Sequence, residues 1–165
     1  MIKKEINILI LTMGGIGYSK YAPGTMASFI TYIFFICFYT YEIKILHLIS
    51  AVTLIFTYSV YAIDKFKKKF DHIDSKEIVI DEFVGQSIPI LTIYSIIGKN
   101  NHIDFIFYTL AAFILFRFFD IKKPFLINKI DANMKNGFGV MLDDVIAGIY
   151  SSIVLILFIF FIYYE

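Results

Sequence analysis

Five apolar runs, separated by short polar stretches, set the pattern of the chain. They lie at residues 26–41, 45–63, 83–97, 103–119 and 145–163. A helix that crosses the hydrocarbon core of a bilayer needs about 20 residues, with a lower limit near 17. The run at 83–97 is the shortest and contains Pro89, so we expect a kinked, tilted or re-entrant helix there. The pattern predicts an all-α, multi-helical integral membrane bundle of about five apolar helices.

The composition supports this prediction. Hydrophobic residues make up 59% of the chain and charged residues 18%, whereas soluble domains are about 45–50% apolar and about 25% charged. The length of 165 residues predicts a single domain, 1–165. The net charge of +1 gives no reason to expect a nucleic-acid partner. Cys37 is the single cysteine, which excludes an intramolecular disulfide and a multi-cysteine metal site.

The cations are divided unequally between the two sides of such a bundle. Thirteen of the 15 Lys and Arg residues fall on one side, and only Lys44 and Lys99 fall on the other. The positive-inside rule makes the rich side cytoplasmic, so the polar loops are expected to face the cytoplasm. Four tyrosines are expected at the opposite interface: Tyr39, Tyr41, Tyr163 and Tyr164.

Three separated polar segments fall on this cytoplasmic side. They are the Gly/Pro-rich loop at 14–28, the acidic pair Asp81 and Glu82, and the charged stretch 117–144. Placing charged side chains next to apolar runs that enter a membrane costs free energy, so such charges indicate a functional site. One arrangement fits the mixture of signs: carboxylates hold a divalent cation, the cation holds a phosphate, and Arg or Lys neutralises the remaining charge.

The first two segments also have structural interpretations. Gly24 and Thr25, with the other glycines of the loop, are suited to a backbone nest that faces an anion, but a flexible linker explains them too. Asp81 and Glu82 are suited to capping a helix N-terminus. Adjacent helix residues diverge by about 100°, so both carboxylates face one ion only at a helix end.

The third segment has similar alternatives. Arg117 and Asp120 are three residues apart and share a helix face, which suits either phosphate binding or an ion pair at the membrane rim. Asp143 and Asp144 follow a Gly-x-Gly segment at 137–139, predicted to be a loop, and directly precede the last apolar run. Capping of that run accounts for one of the two aspartates but not for both.

Four segments together resemble the phosphatidylglycerophosphatase A family, whose members are lipid phosphatases of the bacterial inner membrane. They are GIGYSKYAPGTMAS (15–28), IVIDEFVGQ (78–86), FRFFDIKKP (116–124) and GFGVMLDDVIAG (137–148). The resemblance implies Mg²⁺-dependent removal of the terminal phosphate from phosphatidylglycerophosphate, giving phosphatidylglycerol. It implies functional roles for Asp81, Glu82, Arg117, Asp120, Lys123, Asp143 and Asp144.

We therefore expect a catalytic acidic set that also binds the metal. Its members as Mg²⁺ ligands are Asp81, Asp120, Asp143 and Asp144, with Glu82 as a further ligand or a base. The phosphate would be bound by Arg117, Lys123, Gly24 and Thr25. The expected partners are the membrane and the phospholipid substrate. The alternative is a non-enzymatic transporter or assembly subunit whose buried acids pair with Arg117 and lysines.

Overall fold

The computed structural model describes residues 2–66, 75–97 and 101–164. Within these ranges every regular element is helical, which confirms the all-α prediction. The elements are α1 (Ile2–Leu11), a short 3₁₀ helix (Ile16–Tyr18), α2 (Pro23–Thr40), α3 (Ile45–Phe66), α4 (Ile80–Ile96), α5 (His102–Lys122), α6 (Leu126–Asn133) and α7 (Gly137–Tyr164). Four of the cations used to predict sidedness, Lys67, Lys68, Lys69 and Lys99, lie outside the described residues.

In the described part of the chain, four helices are long and apolar enough to cross a membrane: α2, α3, α5 and α7 over Gly137–Ile162. The fifth apolar helix, α4, is shorter and lies inside the bundle, where Ile90 and Ile93 are fully buried. Near its C-terminal end the Tyr94 hydroxyl donates a hydrogen bond to the carbonyl oxygen of Ile43, at 2.6 Å, in the connection between α2 and α3. The helix therefore runs from one end of the bundle to the other, and Pro89 lies within it rather than at its start.

Helices α4 and α7 approach so closely at Gly85 and Gly148 that neither position has room for a side chain. A Cβ atom added at Gly85 would lie 2.6 Å from the carbonyl oxygen of Asp144 and 2.7 Å from a ring carbon of Phe116. A Cβ atom at Gly148 would overlap the carbonyl oxygen of Gly85. Small residues permit this approach between membrane helices. The crossing brings the acidic end of α4 beside the start of α7.

The start of α7 differs from the sequence prediction. Residues 137–139 form its first turn instead of a loop, and Asp143 and Asp144 lie two turns inside the helix. The Asn136 side-chain oxygen caps this end by accepting a hydrogen bond from the Gly139 amide at 2.8 Å. The Gly137 amide donates to the Asp64 carboxylate of α3 at 2.9 Å. The interpretation of Asp143 or Asp144 as a cap of α7 is therefore wrong, because both lie beyond the first turn of the helix.

The other end of the bundle is held by aromatic rings. Tyr39 stacks on Phe105 with ring centroids 3.8 Å apart and an angle of 5° between the planes, and it also meets Tyr94 and His102 edge-on. Tyr39 is buried in this cluster, whereas Tyr41 is 79% exposed; their predicted position at the membrane interface stays a prediction. Tyr163 and Tyr164 were predicted at the same interface, but their side chains lie outside the described set. The cluster joins α2, α4 and α5.

Candidate active site

Three carboxylates meet between the first turn of α4 and a point two turns into α7. One carboxylate oxygen from each of Asp81, Glu82 and Asp144 lies within 4.8 Å of the other two. Asp81 and Asp144 are buried, at 8% and 4% exposure. Asp81 and Glu82 occupy the first turn of α4. Such a helix end was required by the sequence analysis for two adjacent carboxylates to face one ion. Three acidic oxygens at this spacing in a buried site match the ligands that Mg²⁺ prefers.

Arg117 lies against this cluster from α5. Its Nη1 atom is 2.5 Å from Asp120 Oδ2 and 3.9 Å from Glu82 Oε1, and it donates a hydrogen bond to Ser28 Oγ at 3.5 Å. Gly24, in the first turn of α2, closes the other side: a Cβ atom there would overlap Glu82 Oε1 and lie 3.2 Å from Arg117 Nη1. The guanidinium group is therefore fixed by a carboxylate on its own helix and by the backbone of α2.

Lys123 and Asp143 form a second group next to the first. The Lys123 ammonium donates to Asp143 Oδ2 at 2.8 Å and lies 3.3 Å from Asp131 Oδ1 on α6. Burial acts to lower the pKa of Lys123, but the hydrogen bond to Asp143 and the charges of Asp143 and Asp131 outweigh it, so this pKa is raised. Lys123 is therefore a permanent cation that neutralises Asp143.

Several buried polar atoms at the site have no hydrogen-bond partner within the described part of the chain. They are Glu82 Oε2, Asp144 Oδ2, Arg117 Nε and both amide atoms of Gln86. Buried polar groups are paired in the great majority of cases, so this concentration indicates room for ligands. Free carboxylate oxygens fit a hard divalent cation, and a free guanidinium N–H fits a phosphate oxygen.

Gln86 was missed by the sequence analysis. It lies one helical turn after Glu82 on α4 and is completely buried. The available signal was an uncharged polar residue four positions after Glu82 in an otherwise apolar run, since residues four apart share a helix face.

A cleft of about 540 Å³ opens beside the cluster. Glu82, Arg117 and Gly24 line it, together with the loop before α2 and a short segment before α4. Ala22 is the N-cap residue of α2, and its methyl side chain cannot accept a hydrogen bond from the first backbone amides of that helix. Thr25 follows Gly24 on α2 and does not line the cleft.

The structure thus divides the predicted residues into three places. It brings together Asp81, Glu82 and Asp144, with the Arg117–Asp120 pair alongside. It places Asp143 against Lys123, outside the group of three. Gly24 and Thr25, predicted in a loop, lie in the first turn of α2; Gly24 contacts the site, and Thr25 is not among the residues that line the cleft.

Comparison with known proteins gives concordant results. The family model described as Phosphatidylglycerophosphatase A matches residues 9–159. A Haemophilus influenzae protein named phosphatidylglycerophosphatase A is 39% identical over 157 residues, covering 92% of this chain and 90% of that protein. The Escherichia coli protein of the same name is 30% identical over 146 residues, covering 87% and 78%.

A third relative carries a different name. The Bacteroides thetaiotaomicron protein "Putative phosphatidylinositol-3-phosphatase" is 37% identical over 151 residues, which cover 90% of each chain. No solved structure matches the chain.

Proposed function

Because the chain belongs to the phosphatidylglycerophosphatase A family, we propose that it removes the terminal phosphate of phosphatidylglycerophosphate in a Mg²⁺-dependent hydrolysis that yields phosphatidylglycerol. Membership of this family makes the chain a phosphatase, so the non-enzymatic transporter or assembly subunit is set aside. The observation that carries the proposal is the group of three converging carboxylates, two of them buried, beside a fixed arginine.

The donor set fits the metal. Asp81, Glu82 and Asp144 would hold Mg²⁺, since one oxygen of each converges on the same point and both Glu82 and Asp144 have a carboxylate oxygen with no protein partner in the described residues. When bound, the ion would supply positive charge to the phosphate oxygens and lower the pKa of a water molecule.

The chain's own residues provide the rest of the chemistry. Arg117 donates hydrogen bonds to the phosphate oxygens, on which negative charge builds as the phosphoryl group is transferred. Asp120 holds the guanidinium in position through its 2.5 Å contact. Glu82 would accept a proton from the attacking water through the carboxylate oxygen that does not hold the ion. Lys123 neutralises Asp143, which limits the repulsion between acids at the start of α7.

The position of the site suits a lipid substrate. The chain is a membrane protein, and the acids lie toward one end of the bundle: Asp81 in the first turn of α4, Asp120 in the last turn of α5, and Asp144 two turns into α7. Acyl chains can therefore remain in the bilayer while the headgroup reaches the acids. We place this end at the cytoplasmic face of a bacterial inner membrane, following the unequal distribution of cations.

A second candidate substrate is a phosphorylated phosphatidylinositol, because the Bacteroides relative is named for it and matches 90% of the chain. Both lipids carry a phosphomonoester on a polyol, which a phosphodiester joins to diacylglycerol. Relative turnover of the two lipids distinguishes the candidates.

The test measures free phosphate released by the purified full-length protein in detergent micelles. Each lipid is supplied with Mg²⁺, with EDTA, and with EDTA followed by excess Mg²⁺. We expect release from phosphatidylglycerophosphate that EDTA abolishes and Mg²⁺ restores. The Asp144→Asn variant should be inactive, and Glu5→Gln, an exposed position on α1, should match wild type. Release that EDTA leaves unchanged would overturn the metal requirement, and absence of release from either lipid would overturn the activity.

A further inference from the structure

Two cations in the cleft have no role in the mechanism above. Lys20, in the loop before α2, and Lys76, in the segment before α4, both line the cleft with Glu82 and Arg117. Both side chains are exposed, and neither forms a hydrogen bond or ion pair with any residue in 2–66, 75–97 or 101–164. Lys123, by contrast, is engaged by two carboxylates. Lys20 and Lys76 are therefore available to a ligand.

The two walls that carry these lysines are packed against each other. A Cβ atom at Gly17 would overlap the carbonyl oxygen of Glu77, so the loop and the segment touch backbone to backbone. The Val79 amide also donates to the carbonyl oxygen of Leu11 at 3.0 Å. Within the loop, the Ser19 hydroxyl donates to the carbonyl oxygen of Tyr21 at 3.1 Å, which shapes the turn around Lys20. Both lysines therefore extend from backbone segments that are packed directly against each other.

The balance of charge in the cleft favours a second anion. Among the described residues, its charged lining consists of three cations, Lys20, Lys76 and Arg117, and two carboxylates, Glu77 and Glu82. Arg117 is already paired with Asp120 at the inner end, which leaves the lysines as the cations of the outer part. The volume of about 540 Å³ is within the roughly 300–1,000 Å³ of small-molecule sites and exceeds what one phosphate group occupies.

We infer that Lys20 and Lys76 form an anion subsite for the phosphodiester that links the polyol of the substrate to diacylglycerol. This inference rests on the proposed function, which places the terminal phosphate at Arg117. The flexible ammonium groups suit a phosphodiester, which carries one delocalised charge and needs no planar, two-point partner. The enzyme would then distinguish lipids by the presence of a second phosphate and tolerate changes in the polyol between the two.

The test compares two lipids that differ in this phosphate. Phosphatidylglycerophosphate has a monoester and a diester, whereas phosphatidic acid has a monoester alone. For the variant Lys20→Gln/Lys76→Gln we expect kcat/KM on phosphatidylglycerophosphate to fall about tenfold, mainly through KM, as the loss of charge-assisted contacts at an exposed site implies. On phosphatidic acid we expect a fall of less than about twofold by the same reasoning.

The matched control is Lys122→Gln/Lys129→Gln. These lysines are exposed on α5 and α6, at the same end of the bundle, and do not line the cleft. The control removes the same charge and so reports any general attraction of the protein to anionic micelles. An equal loss in the control, or an equal loss on both lipids, would overturn the subsite.

Lipid binding in the presence of EDTA separates this inference from the proposed function. Weaker binding of phosphatidylglycerophosphate by the Lys20/Lys76 variant, with unchanged binding of phosphatidic acid, supports the subsite even for a preparation that releases no phosphate. Unchanged binding of both lipids overturns the subsite even when wild type turns over normally.

Discussion

Replacing Gly24 with alanine is expected to inactivate the enzyme without destabilising it. Gly24 lies in the first turn of α2, and its φ angle is outside the left-handed region, so alanine fits the backbone. The new methyl group would overlap Glu82 Oε1 and lie 2.9 Å from Glu82 Cδ and 3.2 Å from Arg117 Nη1. All three atoms belong to the ends of long side chains, which can move while the helices stay in place.

The magnitudes follow from this geometry. Alanine in place of glycine in a helix gains about 0.5–1 kcal/mol, so the melting temperature should stay constant or rise by about 2–4 °C for a chain of this size. Relief of the overlap requires the Glu82 carboxylate to move by about 1 Å, and a displacement of this size in an active site costs about 100-fold in rate. Stability and activity should therefore change in opposite directions.

Gly14→Ala is the matched control. No atom of the described residues lies within 4 Å of a Cβ built at Gly14, but its φ of +72° is left-handed, where alanine costs about 1–2 kcal/mol. This variant should melt at a lower temperature and retain its rate. Both variants are checked by thermal unfolding in detergent and by initial rates of phosphate release. A Gly24→Ala protein that turns over like wild type would refute the catalytic placement of Glu82 and Arg117 beside α2.

Three further substitutions test the site. Arg117→Lys keeps the charge but loses the planar group that contacts Asp120, so the initial rate should fall about tenfold or more; equal rates would reduce Arg117 to a structural ion pair. Asp144→Asn should lose activity and partly regain it in a Mg²⁺ titration, and Asp143→Asn should lose less because its partner is a lysine; the reverse order would contradict the assignment. Gln86→Leu removes two unpaired amide atoms, so its melting temperature should not fall; a lower one would reveal a partner for the amide.

The helices of the bundle were predictable because hydropathy alone carries the signal. The runs at 26–41 and 45–63 correspond to α2 and α3 within a few residues. In lipid every backbone polar group must be satisfied within the segment, so a long apolar run has few alternatives to a helix. The same cost of burying charge identified Asp81, Glu82 and Arg117 as unusual without any knowledge of their contacts.

The arrangement of the acids was not predictable, because it depends on contacts between distant segments. Residues 137–139 suggest a loop by glycine content, yet Asp64, 73 residues earlier, binds the first amide of the helix. Once α7 is helical through Asp143 and Asp144, these neighbours point in different directions. One then joins the cluster and the other meets Lys123, which Asp131 on the unpredicted helix α6 helps to hold. Local sequence does not encode that division.

The location of the acids toward one end of the bundle also determines which concentration governs the rate. A substrate with its acyl chains in the bilayer reaches the cleft by lateral diffusion in two dimensions, and the lipid product leaves along the same surface while inorganic phosphate departs into water. The enzyme therefore responds to the mole fraction of substrate among the surrounding lipids and not to the amount per volume. Diluting the substrate with inert detergent at constant total substrate should slow turnover, whereas diluting the whole suspension with buffer should leave turnover per enzyme unchanged.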